Sequence, residues 1–204
     1  MSGQNLAFTI WHDNQMMKWI VCLFLFISAL HSHAQENANP YDVQVSVISE
    51  DGYFKIQASY VVPIDICAAY AFITDYEGAK SIPGIVESKV ISRTRNKVRV
   101  QRLIREQILF FPVEVKSLME YTETPNKLIT FEQLSGDNKQ YRGSWRLSEG
   151  RDKTLFRYEA IVEPHSIIPS LVIEYFVRNS IRSRFELMAQ RAAQAKFTEY
   201  FACN

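Results

Sequence analysis

The chain has 204 residues, 47% of them hydrophobic, and a formal net charge of +1. That is length and apolar content for one domain with a sizeable core. The near-neutral charge excludes the one-sided basic excess that nucleic-acid binding requires, so no nucleic-acid partner is expected.

The first segment has the layout of an export signal. Lys18 precedes an uncharged run over 19–30, too short to span a membrane and of the length found in signal peptides. Ser32 and Ala34 put small residues at both positions a signal peptidase reads, so 1–34 is read as a signal peptide cut before Gln35. Met16 and Met17 are alternative starts, which would make 1–15 a spurious leader. The competing reading is an uncleaved N-terminal anchor. Cleavage implies a secreted or periplasmic protein with His165 as its single histidine and Cys67 and Cys203 as its cysteines. In an oxidising compartment these two can pair; two free thiols is the alternative.

Residues 35–52 read as a polar linker with an extra strand, predicted over 41–49 from the alternation of Val43, Val45 and Val47. Asp51-Gly52 turns the chain into a second strand over 53–62, closed by Pro63. Asp65 caps a predicted helix over 66–74 that buries Ala69, Phe72 and Ile73. A short second helix reaches towards Ile82 before Pro83-Gly84 stops it. The period then becomes two, with strands predicted over 85–95, 97–108, 113–122, 127–134, 140–147 and 154–162. Their connections, such as Phe111-Pro112, are short and mostly rich in turn formers, which makes an antiparallel meander.

From Pro169 to about residue 200 there is no further Gly or Pro, and apolar residues recur at Ile173, Val177, Ile181, Phe185, Met188 and Ala192. Steps of three and four make one stripe on a long helix. The expected architecture is α+β: a curved antiparallel sheet, one face apolar, with this C-terminal helix laid on it, all within 53–200.

This order of elements resembles the helix-grip fold of the START-like superfamily, and within it the polyketide cyclase/dehydrase and coenzyme Q-binding branch. The residues that carry the resemblance are Phe72-Ile73-Thr74-Asp75-Tyr76 with Ile82-Pro83-Gly84-Ile85, then Gly143-Ser144-Trp145-Arg146-Leu147, and Tyr158-Glu159-Ala160 leading to Glu163-Pro164. The match runs from Tyr53 to Lys196. It implies a deep apolar cavity between sheet and terminal helix that holds a hydrophobic small molecule or lipid, in a protein expected to be monomeric. The candidates for its wall are Phe72 on the first helix and Val115, Met119, Phe131, Trp145 and Phe156 on the strands. Tyr158 and the helix residues Ile173, Val177 and Ile181 complete the set. The plain alternative is that all ten are core packing.

Residues outside that set offer little chemistry. One histidine and two distant cysteines give no metal cluster, so no metal and no cofactor are expected. His165 stands on the loop before the terminal helix, where a solvated role is the simpler reading than a catalytic one. Arg146, Arg157 and Glu159 are read as cross-strand pairs on the solvated face, with a ligand carboxylate as the sharper alternative. Arg178 and Arg182 are read as a wet helix face beside Glu174 and Glu186. Phe110 and Phe111, at a hairpin tip that is normally polar, are assigned to the cavity mouth or to a transient membrane contact; packing on the helices is the alternative. Three functions remain in play: a carrier, a cyclase or dehydratase working in the same cavity, and an envelope interaction module.

Overall fold

Alternating side chains put an apolar face on most strands among the described residues, and eight strands join in one sheet so that this face is buried once. The computed structural model describes residues 39–165 and 169–195. The export signal, the start of the linker, Cys203 and the last predicted stretch of the terminal helix lie outside the described residues.

The elements are β1 (Gln44–Glu50), β2 (Tyr53–Val62), α1 (Ile66–Thr74), a 3-10 turn (Gly78–Ser81), β3 (Ile85–Thr94), β4 (Lys97–Ile108), β5 (Phe111–Thr124), β6 (Leu128–Gly136), β7 (Asn138–Gly150), β8 (Lys153–Pro164) and α2 (Ser170–Gln194). They form one antiparallel sheet in the order β1-β2-β8-β7-β6-β5-β4-β3, so the meander β3 to β8 is completed by β2 docking on β8 and β1 on β2. This is the helix-grip architecture expected from the pattern, and β1 gives the extra strand its place at one edge. Asp65 caps α1 as predicted, its Oδ1 accepting from Cys67 N at 2.9 Å and Ala68 N at 2.8 Å. Cys67 is disulfide-bonded.

α2 is about 37 Å long at 1.5 Å per residue and packs on β1, β2 and β4. Its Phe185, Ala189 and Ala192 are buried, and the two alanines allow close approach to the sheet. Arg178 pairs with Glu174 at 2.8 Å on the exposed face. Arg182 does something not foreseen: its Nη1 donates to the Val43 carbonyl at 2.8 Å, tying the helix to the edge of the sheet.

The sheet's inner face is packed differently at its two ends. Near α1, Phe156 stacks on Tyr60 with centroids 4.7 Å apart and meets Phe72 edge-on at 6.5 Å. Thr154, fully buried, donates to the Ile64 carbonyl at 2.8 Å and holds the strand-to-helix turn down. A second tether is the buried Glu123 on β5. Tyr76 OH donates to its Oε1 at 2.8 Å, Tyr70 OH donates to its Oε2 at 3.1 Å, and Arg93 bridges it at 3.2 Å. Helix α1 and the loop after it are thereby fastened to the sheet by a carboxylate that has three donors.

Two outer features depart from the sequence reading. The register sets Arg146 directly opposite Arg157, and Glu159 opposite Ser144, so the expected cross-strand pairs do not form; like charges share one rung instead. The hairpin β4–β5 also turns earlier than predicted, at Leu109-Phe110, with Leu109 at φ 55°. Ile85 pairs with Ile104 and Gly136 with Ser117, so beyond those rungs β4 and β5 continue as a two-stranded ribbon.

Candidate ligand cavity

Between the sheet and the C-terminal half of α2 lies a cavity of about 600 Å³, within the usual range for small-molecule sites. Its floor is the inner face of β5 to β8: Tyr121, Ile129, Phe131, Tyr141, Trp145 and Tyr158. Its roof is Ile181, Phe185 and Met188 of α2, and its side wall is Phe72 and Ile73 of α1. The exposed residues Asp75, Gly78, Ser81 and Gln194 mark the mouth, between the 3-10 turn and the end of α2.

Local sequence accounts for the hollow. Gly143 stands on the inner parity of β7, opposite Phe131 and Ala160. A Cβ there would come within 2.7 Å of Phe131 Cζ and would collide with the Glu159 carbonyl, so only glycine fits beneath that ring. Phe131 lies nearly parallel to Tyr158 at 5.9 Å, and Trp145 tilts between Tyr158 at 4.7 Å and Phe185 at 6.0 Å. Such stacked and edge-on pairs hold the rings as a rigid floor. At the rim, Gly84 takes φ 90°, and a side chain there would strike the Glu106 carboxylate. Glu106 is bridged to Arg184 of α2, and that guanidinium also lies 5.8 Å over Phe176. A strap from β4 to the helix therefore crosses directly over the glycine.

The polar groups inside are few and grouped. Tyr141 and Tyr158 share a hydrogen bond between their hydroxyls at 3.0 Å. Burial pushes the Tyr158 phenol well above its ordinary range, and Tyr141 beside it adds to the shift. Burial likewise pushes Tyr121 up to about 12, with the Arg102 charge pulling against it. Arg102, on β4, lies with its guanidinium carbon 5.4 Å from the centre of the Tyr121 ring. Its Nε donates to Ser88 Oγ at 3.2 Å, and Ser88 Oγ donates in turn to the Tyr76 carbonyl at 2.6 Å. Among the described residues no carboxylate pairs with Arg102.

Five of the ten proposed wall residues line this cavity: Phe72, Phe131, Trp145, Tyr158 and Ile181. Phe156 does not, because α1 seals it beneath Phe72. Met119 does not, because it is enclosed in the core with no exposed surface. Val115 stands in the two-stranded ribbon, past the last rung of β6. Ile173 and Val177 pack on the core along the first half of α2, while the cavity begins at Ile181, since the helix stripe is longer than the hollow it covers. Phe110 and Phe111 are not at the mouth. They end the ribbon, 90% and 44% exposed, whereas the mouth is built by the 3-10 turn and α2. His165 is exposed and does not line the cavity, and the arginines that do are Arg102, Arg184 and Arg191 rather than Arg146 or Arg157. Sequence reasoning passed over Arg102, yet it shares the inner parity of β4 with Val98 and Val100, and a lone arginine on an apolar parity was the available signal. Among the described residues no group of His, Cys, Asp and Glu is placed to hold a metal.

The fold has counterparts among known proteins. The family described as "Polyketide cyclase / dehydrase and lipid transport" matches residues 62–188. Among solved structures, the protein TTHA0849 from Thermus thermophilus superposes with a TM-score of 0.59 at 17% identity, covering 69% of this chain and 94% of that one. The STAR-related lipid transfer protein from Xanthomonas axonopodis gives 0.59 at 12% identity over 72% and 98%. The Zhui aromatase/cyclase from Streptomyces sp. R1128 gives 0.57 at 13% over 71% and 98%. No curated protein matches the chain. At these identities the superpositions speak for the fold alone, while the family match spans more than half of the sequence. The chain belongs to the polyketide cyclase/dehydrase and lipid-transport family of the START-like superfamily.

Proposed function

We propose that the protein is an exported carrier that holds a hydrophobic small molecule (a lipid, quinone or polycyclic compound) in this cavity without transforming it. The observation that carries the proposal is the chemistry of the lining: a rigid aromatic floor and an apolar roof around one small cluster of polar side chains, with no nucleophile–base pair among the lining residues. A start at Gln35 after signal cleavage fits a carrier working in the envelope, and N-terminal sequencing of the protein from a periplasmic fraction tests that part.

The binding claim is tested by native mass spectrometry of the mature chain, followed by organic extraction. A retained mass that resolves to a lipid or quinone is expected. Repeatedly empty protein that also takes up no lipid probe would overturn the proposal. The second reading, a cyclase or dehydratase, is favoured by Arg102 and the tyrosine hydroxyls, which are donors able to polarise a ligand carbonyl. Turnover of a polycarbonyl substrate by the purified chain would establish it over the carrier. The exposed tip at Phe110 is the surface such a carrier would offer to a membrane, and vesicle flotation that survives Phe110→Ser with Phe111→Ser would remove that role.

A further inference from the structure

We propose that the ligand is a single-headed acid whose carboxylate pairs with Arg102 while its apolar body lies against Phe131, Trp145 and Phe185. The inference rests on the reading of the cavity as a ligand site and adds the chemical class of what fills it.

Three observations lead there. A guanidinium stays charged at any pH the protein meets, and a charge set among aromatic walls is costly without a counter-charge. The rim arginine, Arg184, has its carboxylate in Glu106; Arg102 has none among the described residues. Second, Arg102 is already oriented. Its Nε is fixed by the buried Ser88, and its guanidinium stands 5.4 Å over the Tyr121 ring and also hydrogen-bonds that side chain, so the N–H groups not used there are held in place for a ligand carboxylate. Third, the remaining polar groups of the floor are the phenols of Tyr121, Tyr141 and Tyr158, and burial keeps Tyr121 and Tyr158 protonated, so they donate rather than repel an anion. The Arg102 charge reaches both of those tyrosines, which places cation and hydroxyls in one neighbourhood. Of the lining arginines, Arg102 is the one whose charge reaches the floor phenols, so a carboxylate held there meets a cation and neutral donors together. Ser88 is on this account a positioning residue, since it aims the guanidinium without touching the ligand.

The test compares cis-parinaric acid, a fluorescent long-chain acid, with its methyl ester on the full mature chain at neutral pH. The acid is expected to bind about tenfold or more tightly than the ester, the usual worth of a hydrogen-bonded charge. In Arg102→Leu that preference disappears, and an unchanged circular-dichroism spectrum with cooperative thermal unfolding shows that the variant is folded. Ser88→Ala reduces the preference and leaves the ester untouched. If Arg102→Leu does not fold, the wild-type chain still decides: the preference must fade as pH falls through about 4 to 5, where the carboxyl of the ligand protonates. Equal binding of acid and ester by the wild-type chain overturns the acid assignment and leaves the carrier reading standing. Binding of neither overturns both.

Discussion

The inner face of a single sheet is solid at one end and hollow at the other, although both ends are built from the same residue types. Under α1, Tyr60, Phe156 and Phe72 interlock and leave no space. Under the second half of α2, Phe131, Tyr158 and Trp145 are packed as closely against one another, yet their upper surfaces face the cavity. What differs is the cover. Two tethers, at Thr154 and Glu123, pull α1 and its loop onto the sheet, whereas α2 is tied down by Arg182 at the β1 edge and Arg184 at the β4 rim and bridges the space between them. A cavity in this fold is therefore made by where the covering elements are fastened, and less by which aromatics lie beneath.

The sharpest way to break the comparison is to delete one ring from each end. Phe156→Ala should lose about 3–5 kcal/mol in urea denaturation, as for a fully packed phenylalanine. Phe131→Ala should lose clearly less, about 1–3 kcal/mol, because one side of its ring already lacks partners. Equal losses would mean that the hollow is filled in the protein as isolated. Removing the tether comes next. Glu123→Ala strands two tyrosine hydroxyls and should cost about 1–3 kcal/mol, and ligand affinity should fall with it as the side wall loosens. A variant of undiminished stability would show that α1 is held by packing alone.

Alkaline titration distinguishes the tyrosines in the same terms. The folded value of Tyr121 is pushed up to about 12 against an unfolded value near 10. Folding thus favours the neutral phenol, and its contribution is complete below pH 10 and lost as pH rises from 10 through 12. Phenolate absorbance should show Tyr121 and Tyr158 ionising only late or with unfolding; ionisation of every tyrosine near 10 in the native state would contradict the buried polar floor. The smallest effect belongs to Tyr60, whose buried hydroxyl has no hydrogen-bond partner among the described residues. Tyr60→Phe should be neutral or stabilise by about 1 kcal/mol in thermal melts, and a marked loss would reveal a partner for that hydroxyl.

Much of the architecture could be read from periodicity, because period two and period 3.6 are properties of the chain itself. The strand over Tyr53–Val62, the Asp65 cap and the stripe through Phe185 and Ala192 are local facts of this kind. Parity states which face a residue takes and says nothing of what lies above it, so Phe156 and Phe131 were indistinguishable in the sequence. Register was likewise hidden: that Arg146 would stand opposite Arg157 depends on how β7 and β8 are aligned by their turn. The hairpin tip shows the same limit. Its exposed Phe110 follows from how far β4 and β5 outrun β3 and β6, which no single strand encodes. Arg102 is the instructive omission, since a charge on an apolar parity can be seen without any partner strand.

The docking of β2 on β8 has a practical consequence for anyone trimming this protein for expression. The family match begins at residue 62, the last residue of β2, and stops at residue 188, inside α2. A fragment cut to those limits would lose Phe54, Ile56 and Tyr60 from the core and would leave the β8 backbone as a long bare edge, open to pairing with other chains. It would also discard Ala189 and Ala192, two fully buried core residues of the helix. Insolubility of such a fragment would say nothing about the protein. The unit to express starts before Tyr41, whose carbonyl accepts from Val61 N at 2.8 Å, and continues at least through Ala195.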